Sequence, residues 1–193
     1  MDKAQLRRQL QHSLLALEPE QRNRKSRQAC RHLTSTEQFQ NASTVMLFVS
    51  LPYEVDTSEA ILCAWQLGKT VAVPKVSREQ RHMIAVQINS LETGLTTDAW
   101  GLRTPTAGIP VPFGDIDMVV TPGLGFDRNG HRIGRGGAYY DRFFAHEDLK
   151  ACRCGFAFAE QLIDSVPVTE HDQPLDLLVT DEEILYFTDR KGE

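Results

Sequence analysis

The part of the sequence best suited to chemistry is residues 119–144, VVTPGLGFDRNGHRIGRGGAYYDRFF. It reads as a buried strand, then a glycine-rich loop, then a helix, an arrangement that points backbone N–H groups at an anion such as phosphate. Glycine suits such a loop because it adopts positive φ freely and because a Cβ would hold the backbone away from phosphate oxygens. The segment predicts a phosphate-binding loop.

Two side chains of this segment could act on a bound phosphate. Arg135 offers a planar cationic fork, and Asp141, a turn further, could hold Mg²⁺ that bridges phosphates. The spacing of Gly123, Gly125 and Gly130 differs from the dinucleotide pattern G-x-G-x-x-G, and the sequence has no G-x-x-x-x-G-K-[ST] loop. Taken alone, a loop of this composition is also compatible with a purely structural turn.

The elements that must position this loop begin with two helices. Four leucines recur at spacings of four, four and three: Leu6, Leu10, Leu14 and Leu17. They form one stripe of an amphipathic helix. Pro19 breaks the pattern, and residues 21–33 are typical of a second, strongly basic helix.

Strands and helices alternate through the rest of the chain. The predicted strands are residues 45–51, 70–76, 83–88, 117–123, 155–160 and 175–181, and the predicted helices are residues 56–67 and 138–146. The first of these helices begins with a capping-box pattern over residues 56–59. Residues 89–114 are rich in Thr, Gly and Pro and are predicted to form a long surface loop. This alternation predicts an α/β fold, a single-domain three-layer sandwich over residues 1–193 with a mainly parallel central sheet and helices on both faces.

The charge of the chain is unevenly distributed. The 193 residues carry 21 basic and 26 acidic side chains, a net charge of -5, which disfavours nucleic acid as a partner. Residues 1–33 are nevertheless +5, and the remaining 160 residues are -10. We expect Arg22 to Arg31 to form a solvated helix face, because basic residues at helical spacing usually face water.

Cysteine content and apolar runs favour a reduced compartment. The four cysteines form no C-x-x-C pair and no disulfide framework, so we interpret them as reduced thiols. No apolar run approaches the length that a membrane helix needs, and the N-terminus lacks the apolar core of a signal peptide. The sequence predicts a cytoplasmic protein without a membrane partner.

The segment TPGLGFDRNGHRIGRGGAYYDRFF resembles the signature of the 5-formyltetrahydrofolate cyclo-ligase family, also called 5,10-methenyltetrahydrofolate synthetase. The similarity extends along the chain. Lys3 and Arg7 resemble an N-terminal K-x-x-x-R, LPYEVDT resembles a substrate-binding E-[IV]-x-T that contains Glu54, and VPVTEHDQPLD resembles a C-terminal segment that contains Asp172. One departure is Ala138, where the family usually has glycine.

The resemblance implies overlapping groups of site residues. Lys3 and Arg135 would be catalytic, and Asp141 and Asp172 would bind magnesium. ATP would be bound by Lys3, Arg7, Arg132, Ile133, Gly134, Arg135, Gly136, Gly137, Ala138, Tyr139 and Tyr140. The folate would be bound by Val49, Glu54, Trp100, Arg135, Gly136, Gly137, Ala138 and Tyr139.

The resemblance also implies a reaction. Family members close 5-formyltetrahydrofolate, possibly polyglutamylated, to 5,10-methenyltetrahydrofolate with Mg²⁺ as cofactor, converting ATP to ADP and phosphate through an iminium phosphate intermediate. Three alternatives stay open: a non-catalytic folate or nucleotide binder, for which Ala138 is the only hint, a different phosphotransferase using the same loop, and nucleic-acid binding by the basic arm.

Several of these residues have equally ordinary structural interpretations. Tyr139 and Tyr140 could be core contacts of a helix, Trp100 a loop anchor, and Glu54 a second capping carboxylate. Asp172 lies in E-H-D-Q-P, a sequence typical of turns. His131 lies beside the phosphate loop and could touch a substrate, but the histidine spacings indicate no metal site.

Overall fold

The structure, a computed structural model, describes residues 2–98 and 101–187, so the predicted site residue Trp100 lies outside the described residues. Its helices are α1 (Lys3–Leu15), α2 (Pro19–Ser35), α3 (Glu37–Asn41), α4 (Ser58–Gln66) and α5 (Tyr139–Phe144), with short 3-10 helices at Phe113–Asp115 and Ala159–Gln161. Its strands are β1 (Thr44–Met46), β2 (Thr70–Ser77), β3 (His82–Gln87), β4 (Leu95–Thr97), β5 (Arg103–Pro105), β6 (Pro110–Val111), β7 (Met118–Thr121), β8 (Gly125–Phe126), β9 (Arg132–Ile133), β10 (Cys152–Phe156), β11 (Leu177–Val179) and β12 (Ile184–Tyr186).

A central sheet organises the chain, with the strand order β12-β11-β10-β7-β1-β2-β3-β6. The five strands from β11 to β2 run parallel to one another, whereas β12, β3 and β6 add antiparallel pairs at the edges. The predicted α/β fold with a mainly parallel sheet is therefore confirmed. Because parallel strands end at one common edge, the segments that follow them meet there and can form a site.

Helices cover both faces of the sheet, as predicted. In β7, Met118 and Val120 join the core beneath α1, α2 and α4, whereas Val119 joins the core beneath α5. Leu33 of α2 and Phe144 of α5 are buried on opposite faces. Successive side chains of a strand point to opposite faces. The continuous apolar run of β7 therefore produces the three-layer sandwich.

The predicted strand-helix-strand crossover is confirmed as β1, α4 and β2, but the start of α4 differs from the prediction. The helix is preceded by Thr57 as N-cap, whose hydroxyl donates to the Phe48 carbonyl at 2.7 Å. Asp56 Oδ1 accepts the N–H of Ser58 at 2.9 Å. The predicted capping box over residues 56–59 is therefore wrong, because the Thr57 hydroxyl instead ties the loop after β1 to the helix.

The predicted surface loop over residues 89–114 contains regular structure. Strands β4 and β5 pair as a small antiparallel sheet, and β6 pairs with β3 at the edge of the central sheet. These strands have two or three residues each. Such short strands give too few alternations of apolar and polar residues to be recognised in a Thr- and Pro-rich segment.

Two further features of the described chain concern its cysteines and its helices. All four cysteines are free thiols, and burial raises the pKa of Cys30 and Cys152 to about 12, so both resist deprotonation. Among residues 2–98 and 101–187, no helix has the length and apolar character required to cross a membrane.

The basic face of α2 is only partly solvated. Lys25 is buried, and its ammonium lies 2.7 Å from Asp181 and 2.9 Å from Glu160. Arg22 donates to the carbonyls of Leu17 and Pro52. The prediction of a solvated face from Arg22 to Arg31 is therefore wrong for Arg22 and Lys25. The segments after β1, β10 and β11 supply acceptors for these two side chains.

The Lys25–Asp181 pair predicts a large stability effect. The side chains are 10% and 6% exposed, so Asp181→Ala leaves an ammonium buried beside only one close carboxylate. We expect a loss of about 3 kcal/mol in the free energy of unfolding, measured by urea denaturation. Glu182→Ala is the matched control, because Glu182 lies 3.9 Å from Lys25 and is 70% exposed. A similar loss in both variants would contradict this role.

Candidate active site

The chain after β7 folds back before it reaches the predicted phosphate loop. Strands β8 and β9 form a short hairpin, and the loop over residues 134–138 follows it. Helix α5 then has only six residues. A helix this short contributes little macrodipole. The loop backbone and the side chains around it are therefore better candidates for binding phosphate than the N-terminus of α5.

Helix α1 contacts this loop through Arg7. The Arg7 Nε–H donates to the carbonyl of Gly134 at 2.9 Å. Gly136 has φ +105°, and a Cβ on it would lie 3.6 Å from the Arg7 guanidinium. A Cβ on Gly137 would lie 2.6 Å from the Tyr139 ring. Glycine at these positions therefore permits both the left-handed turn and the close approach of its neighbours.

Arg135 joins the phosphate loop to the loop after β1. Its guanidinium lies 2.8 Å from Glu54 and 5.0 Å from the centre of the Tyr53 ring, a cation–π contact. The Arg135 side chain is 45% exposed, whereas Glu54 is only 10% exposed. Burial raises the pKa of Glu54, and the charge of Arg135 opposes this shift. The predicted phosphate-binding arginine and the predicted folate-binding carboxylate are thus direct neighbours.

Arg132 binds the predicted metal ligand Asp141. Its Nη2 lies 3.3 Å from both carboxylate oxygens, and its Nη1 donates to the Pro122 carbonyl at 3.2 Å. The guanidinium also lies 5.4 Å from the centre of the Tyr140 ring. With the side chain only 5% exposed, Arg132 reaches the site through Asp141 and not through an open surface.

Lys3 binds the second predicted metal ligand, Asp172. The ammonium lies 2.6 Å from Asp172 Oδ2, which also accepts hydrogen bonds from the backbone and hydroxyl of Thr169. Burial alone would raise the pKa of Asp172, but these hydrogen bonds outweigh burial and hold the pKa below its ordinary value. The N–H of Gln173, the next residue, donates to Asp141 at 3.3 Å. The segment that contains Asp172 therefore contacts Asp141.

The donor set of Asp141 and Asp172 fits magnesium in its chemistry. Carboxylate oxygens are hard ligands, and Mg²⁺ is usually held by one or two of them together with waters and substrate phosphates. Among the described residues, no group of three or more His, Cys, Asp or Glu is placed to hold a metal ion. A pair of carboxylates beside a phosphate loop suits a metal that arrives with a nucleotide.

The remaining predicted residues are largely packing residues in the described chain. Tyr139 and Tyr140 pack against the core beneath α5, and the buried Tyr140 hydroxyl has no hydrogen-bond partner in the described part of the chain. Ile133 and Val49 are buried on the other face, and the Ile133 carbonyl accepts the N–H of Leu124 at 2.8 Å. The side chains of Ile133 and Val49 therefore have little surface left for a ligand.

Sequence reasoning missed Tyr53, and the structure gives His131 a contact within a turn. Tyr53 stacks on Arg135, and only its position next to Glu54 could have indicated this. His131 lies 3.1 Å from the buried carboxylate of Asp127, which also accepts backbone N–H groups of its own turn. His131 is therefore engaged in the β8–β9 turn.

Ala138 has an unusual backbone conformation, with φ +50° and ψ 29°. The left-handed region costs a non-glycine residue on the order of 1 kcal/mol. We therefore expect Ala138→Gly to raise the free energy of unfolding by about that amount, measured by chemical denaturation. Ala145→Gly, at the exposed right-handed end of the same helix, is the control and should be destabilising. Equal effects of the two substitutions would show that the Ala138 backbone is not strained.

Comparison with known proteins identifies the family. Residues 1–181 match the model of the 5-formyltetrahydrofolate cyclo-ligase family. The chain belongs to this family. A mouse 5-formyltetrahydrofolate cyclo-ligase is 32% identical over 191 residues, which cover 94% of this chain and 91% of the relative. The Escherichia coli K12 enzyme is 29% identical over 172 residues, which cover 88% and 94%. The family confirms the enzyme class predicted from the sequence, a ligase that forms a carbon–nitrogen bond.

Solved structures agree with this family and its fold. The 5,10-methenyltetrahydrofolate synthetase of Aquifex aeolicus matches with a TM-score of 0.85 and 28% identity, covering 100% of this chain and 96% of that one. A 5,10-methenyltetrahydrofolate synthetase from Mycoplasma pneumoniae matches with a TM-score of 0.77 at 21% identity, covering 94% of this chain and 99% of that one, and supports the fold alone. The cyclo-ligase architecture thus extends over the whole described chain.

Proposed function

We propose that this cyclo-ligase family member converts 5-formyltetrahydrofolate to 5,10-methenyltetrahydrofolate while ATP is converted to ADP and phosphate. The observation that carries the proposal is the contact between Arg135 and Glu54 at 2.8 Å. Arg135 belongs to the glycine-rich loop, and Glu54 follows the neighbouring strand β1. Arg135 could therefore bind a phosphate of ATP while Glu54 accepts a hydrogen bond from a ring N–H of the folate, so that the two substrates lie side by side.

The reaction needs activation of an unreactive group. The N5 formamide carbon is a poor electrophile, and its oxygen is a poor leaving group. Transfer of the γ-phosphoryl group to the formyl oxygen gives an iminium phosphate and ADP. N10 then attacks the activated carbon and gives up its proton, the carbon–oxygen bond breaks, and the leaving phosphate carries that proton away. Each step transfers a group already present in ATP or the folate, so the protein need not supply a nucleophile.

Positioning and charge stabilisation are therefore the main tasks of the protein. Arg135, Lys3 and Arg7 supply positive charge around the loop, and the backbone of residues 134–138 supplies N–H donors. Arg135 is the residue best placed to stabilise negative charge as the phosphoryl group moves from ATP to the formyl oxygen, because it joins the loop to Glu54. This combination suits phosphoryl transfer between two bound substrates.

Asp141 and Asp172 would hold Mg²⁺. When bound, the ion neutralises negative charge on the nucleotide phosphates. The fit rests on two carboxylates whose segments are joined by the hydrogen bond from the Gln173 N–H to Asp141. Before the ion binds, Arg132 and Lys3 hold these carboxylates in place.

Glu54 would orient the folate by accepting hydrogen bonds from the pterin ring. One of its carboxylate oxygens accepts the N–H of Leu51 at 2.9 Å, and the other faces Arg135. These two contacts fix a buried carboxylate in one orientation, which suits recognition of a flat heterocycle with several N–H groups. The Tyr53 and Tyr139 rings add flat surface nearby.

A turnover assay tests this function and separates its alternatives. Purified protein with Mg²⁺, ATP and 5-formyltetrahydrofolate should produce the absorbance of the methenyl folate, with one ADP formed per product molecule. Binding of both ligands without product would support a non-catalytic relative. ATP consumption that requires a different acceptor would support another phosphotransferase. Either result would overturn the proposal.

A further inference from the structure

The acidic and basic residues of the proposed site are joined in ion pairs. Lys3 binds Asp172 at 2.6 Å, and Arg132 binds Asp141 at 3.3 Å. In each pair, one member is a predicted phosphate ligand and the other is a predicted magnesium ligand. The described site therefore satisfies its own charges by pairing the residues that two different ligands would need.

The Lys3–Asp172 pair has the character of an exchangeable contact. The two side chains are 27% and 25% exposed, whereas the Lys25–Asp181 pair of the core is 10% and 6% exposed. A half-buried pair can be separated without leaving a charge in an apolar interior. Lys3 also lies in the first turn of α1, where its ammonium can turn towards a new partner without moving the sheet.

We propose that the Lys3–Asp172 pair exchanges partners when nucleotide and magnesium bind, so that each ligand binds well only in the presence of the other. Phosphate takes Lys3 from Asp172, and magnesium takes Asp172 from Lys3. The inference rests on the proposed function, because it assigns ATP and magnesium to this site. The inference adds a reason why the two ligands bind together, namely the ion pair between the protein's own charged residues.

The physical basis is charge repulsion in both half-loaded states. ATP without metal would place phosphate oxygens beside Asp172 and Asp141, and Asp172 would lose Lys3 to the phosphates. Magnesium without ATP would lie beside Lys3 and Arg132 with no phosphate to balance them. Like charges in contact disfavour both states. Because coupling between two ligands is reciprocal, each must improve the affinity for the other by the same factor.

Two variants test the two halves of the exchange separately. Asp172→Asn leaves Lys3 without a charged partner, so ATP in the presence of EDTA should bind about three- to tenfold more tightly than to the unmodified protein. Its affinity gain from added magnesium should shrink. Lys3→Met frees Asp172, so magnesium chloride alone should bind about three- to tenfold more tightly, whereas ATP binds more weakly.

Isothermal titration calorimetry with ATP plus EDTA, magnesium chloride alone, and both together measures these affinities directly. Asp148→Asn is the charge-matched control: Asp148 is 79% exposed, and its carbonyl lies near Gly114, at the end of the sheet where β7 begins. It should leave all three affinities unchanged. Thermal melts confirm that the variants are folded, and if one variant is unfolded, the other variant still measures its own half of the exchange.

The outcome that overturns the exchange is specific. If Asp172→Asn binds metal-free ATP no more tightly than the unmodified protein, or if Lys3→Met gains no affinity for magnesium alone, the pairs do not restrain their ligands. Such a result would leave the cyclo-ligase proposal standing, provided that the unmodified protein binds ATP with magnesium. Failure to bind nucleotide under any condition would instead contradict the proposed function itself.

Discussion

Replacing Arg135 with alanine is expected to lower kcat/KM for 5-formyltetrahydrofolate by about 10²- to 10³-fold, the range found when a charge-stabilising donor is removed. The contacts of Arg135 run to Glu54 and Tyr53 at the open side of the site, and its side chain is 45% exposed. Its removal also leaves Glu54, which is 10% exposed, without its cation, so a modest fall in melting temperature should accompany the much larger loss of rate. Steady-state kinetics and a thermal melt on the same preparation separate the two effects.

Two further variants sharpen this test. Arg135→Lys keeps the positive charge but loses the planar fork, so it should recover only part of the lost rate. Arg128→Ala removes an arginine from another exposed ion pair, with Glu183 at 2.7 Å, and should leave kcat/KM unchanged. If Arg135→Ala lowered the melting temperature as strongly as it lowered the rate, Arg135 would be a structural residue.

The second large effect is expected from Asp141→Asn. Asparagine keeps an acceptor oxygen for the Gln173 N–H but removes the negative charge that magnesium and Arg132 require. We expect turnover to fall by about 10- to 100-fold, and the magnesium concentration for half-maximal rate to rise. A magnesium titration at saturating ATP measures both quantities.

The Asp141 variant should also be less stable, and by more than the Arg135 variant. Arg132 is 5% exposed, so the loss of its carboxylate partner leaves a buried guanidinium with less compensation. Asp148→Asn serves as the control for net charge. An unchanged magnesium requirement in Asp141→Asn would remove Asp141 from the metal site, whatever its stability.

The layers of the fold follow from local sequence patterns. The apolar runs at β2 and β7 and the leucine stripe of α1 are long enough for their periodicity to indicate element type. The burial of Lys25 could not be inferred in this way, because its partner Asp181 is 156 residues away. Periodicity shows which face a residue occupies but not which distant segment covers that face.

The same distinction applies to the site. The glycine-rich loop and its arginine are contiguous, so they could be recognised from residues 119–144 alone. The ion pairs join residues that are 81 positions apart for Arg135 and Glu54 and 169 positions apart for Lys3 and Asp172. The folded sheet brings the segments after its parallel strands to one edge, and the packing of α1 on the core brings Lys3 to Asp172.

The fate of the formyl oxygen tests the central claim most directly. The protein is incubated with ATP, magnesium and 5-formyltetrahydrofolate whose formyl oxygen carries an isotopic label, and the released phosphate is analysed by mass spectrometry. Phosphoryl transfer to the formyl oxygen predicts methenyl folate and one labelled phosphate per product molecule. Unlabelled phosphate, or ATP hydrolysis without methenyl folate, would contradict the account.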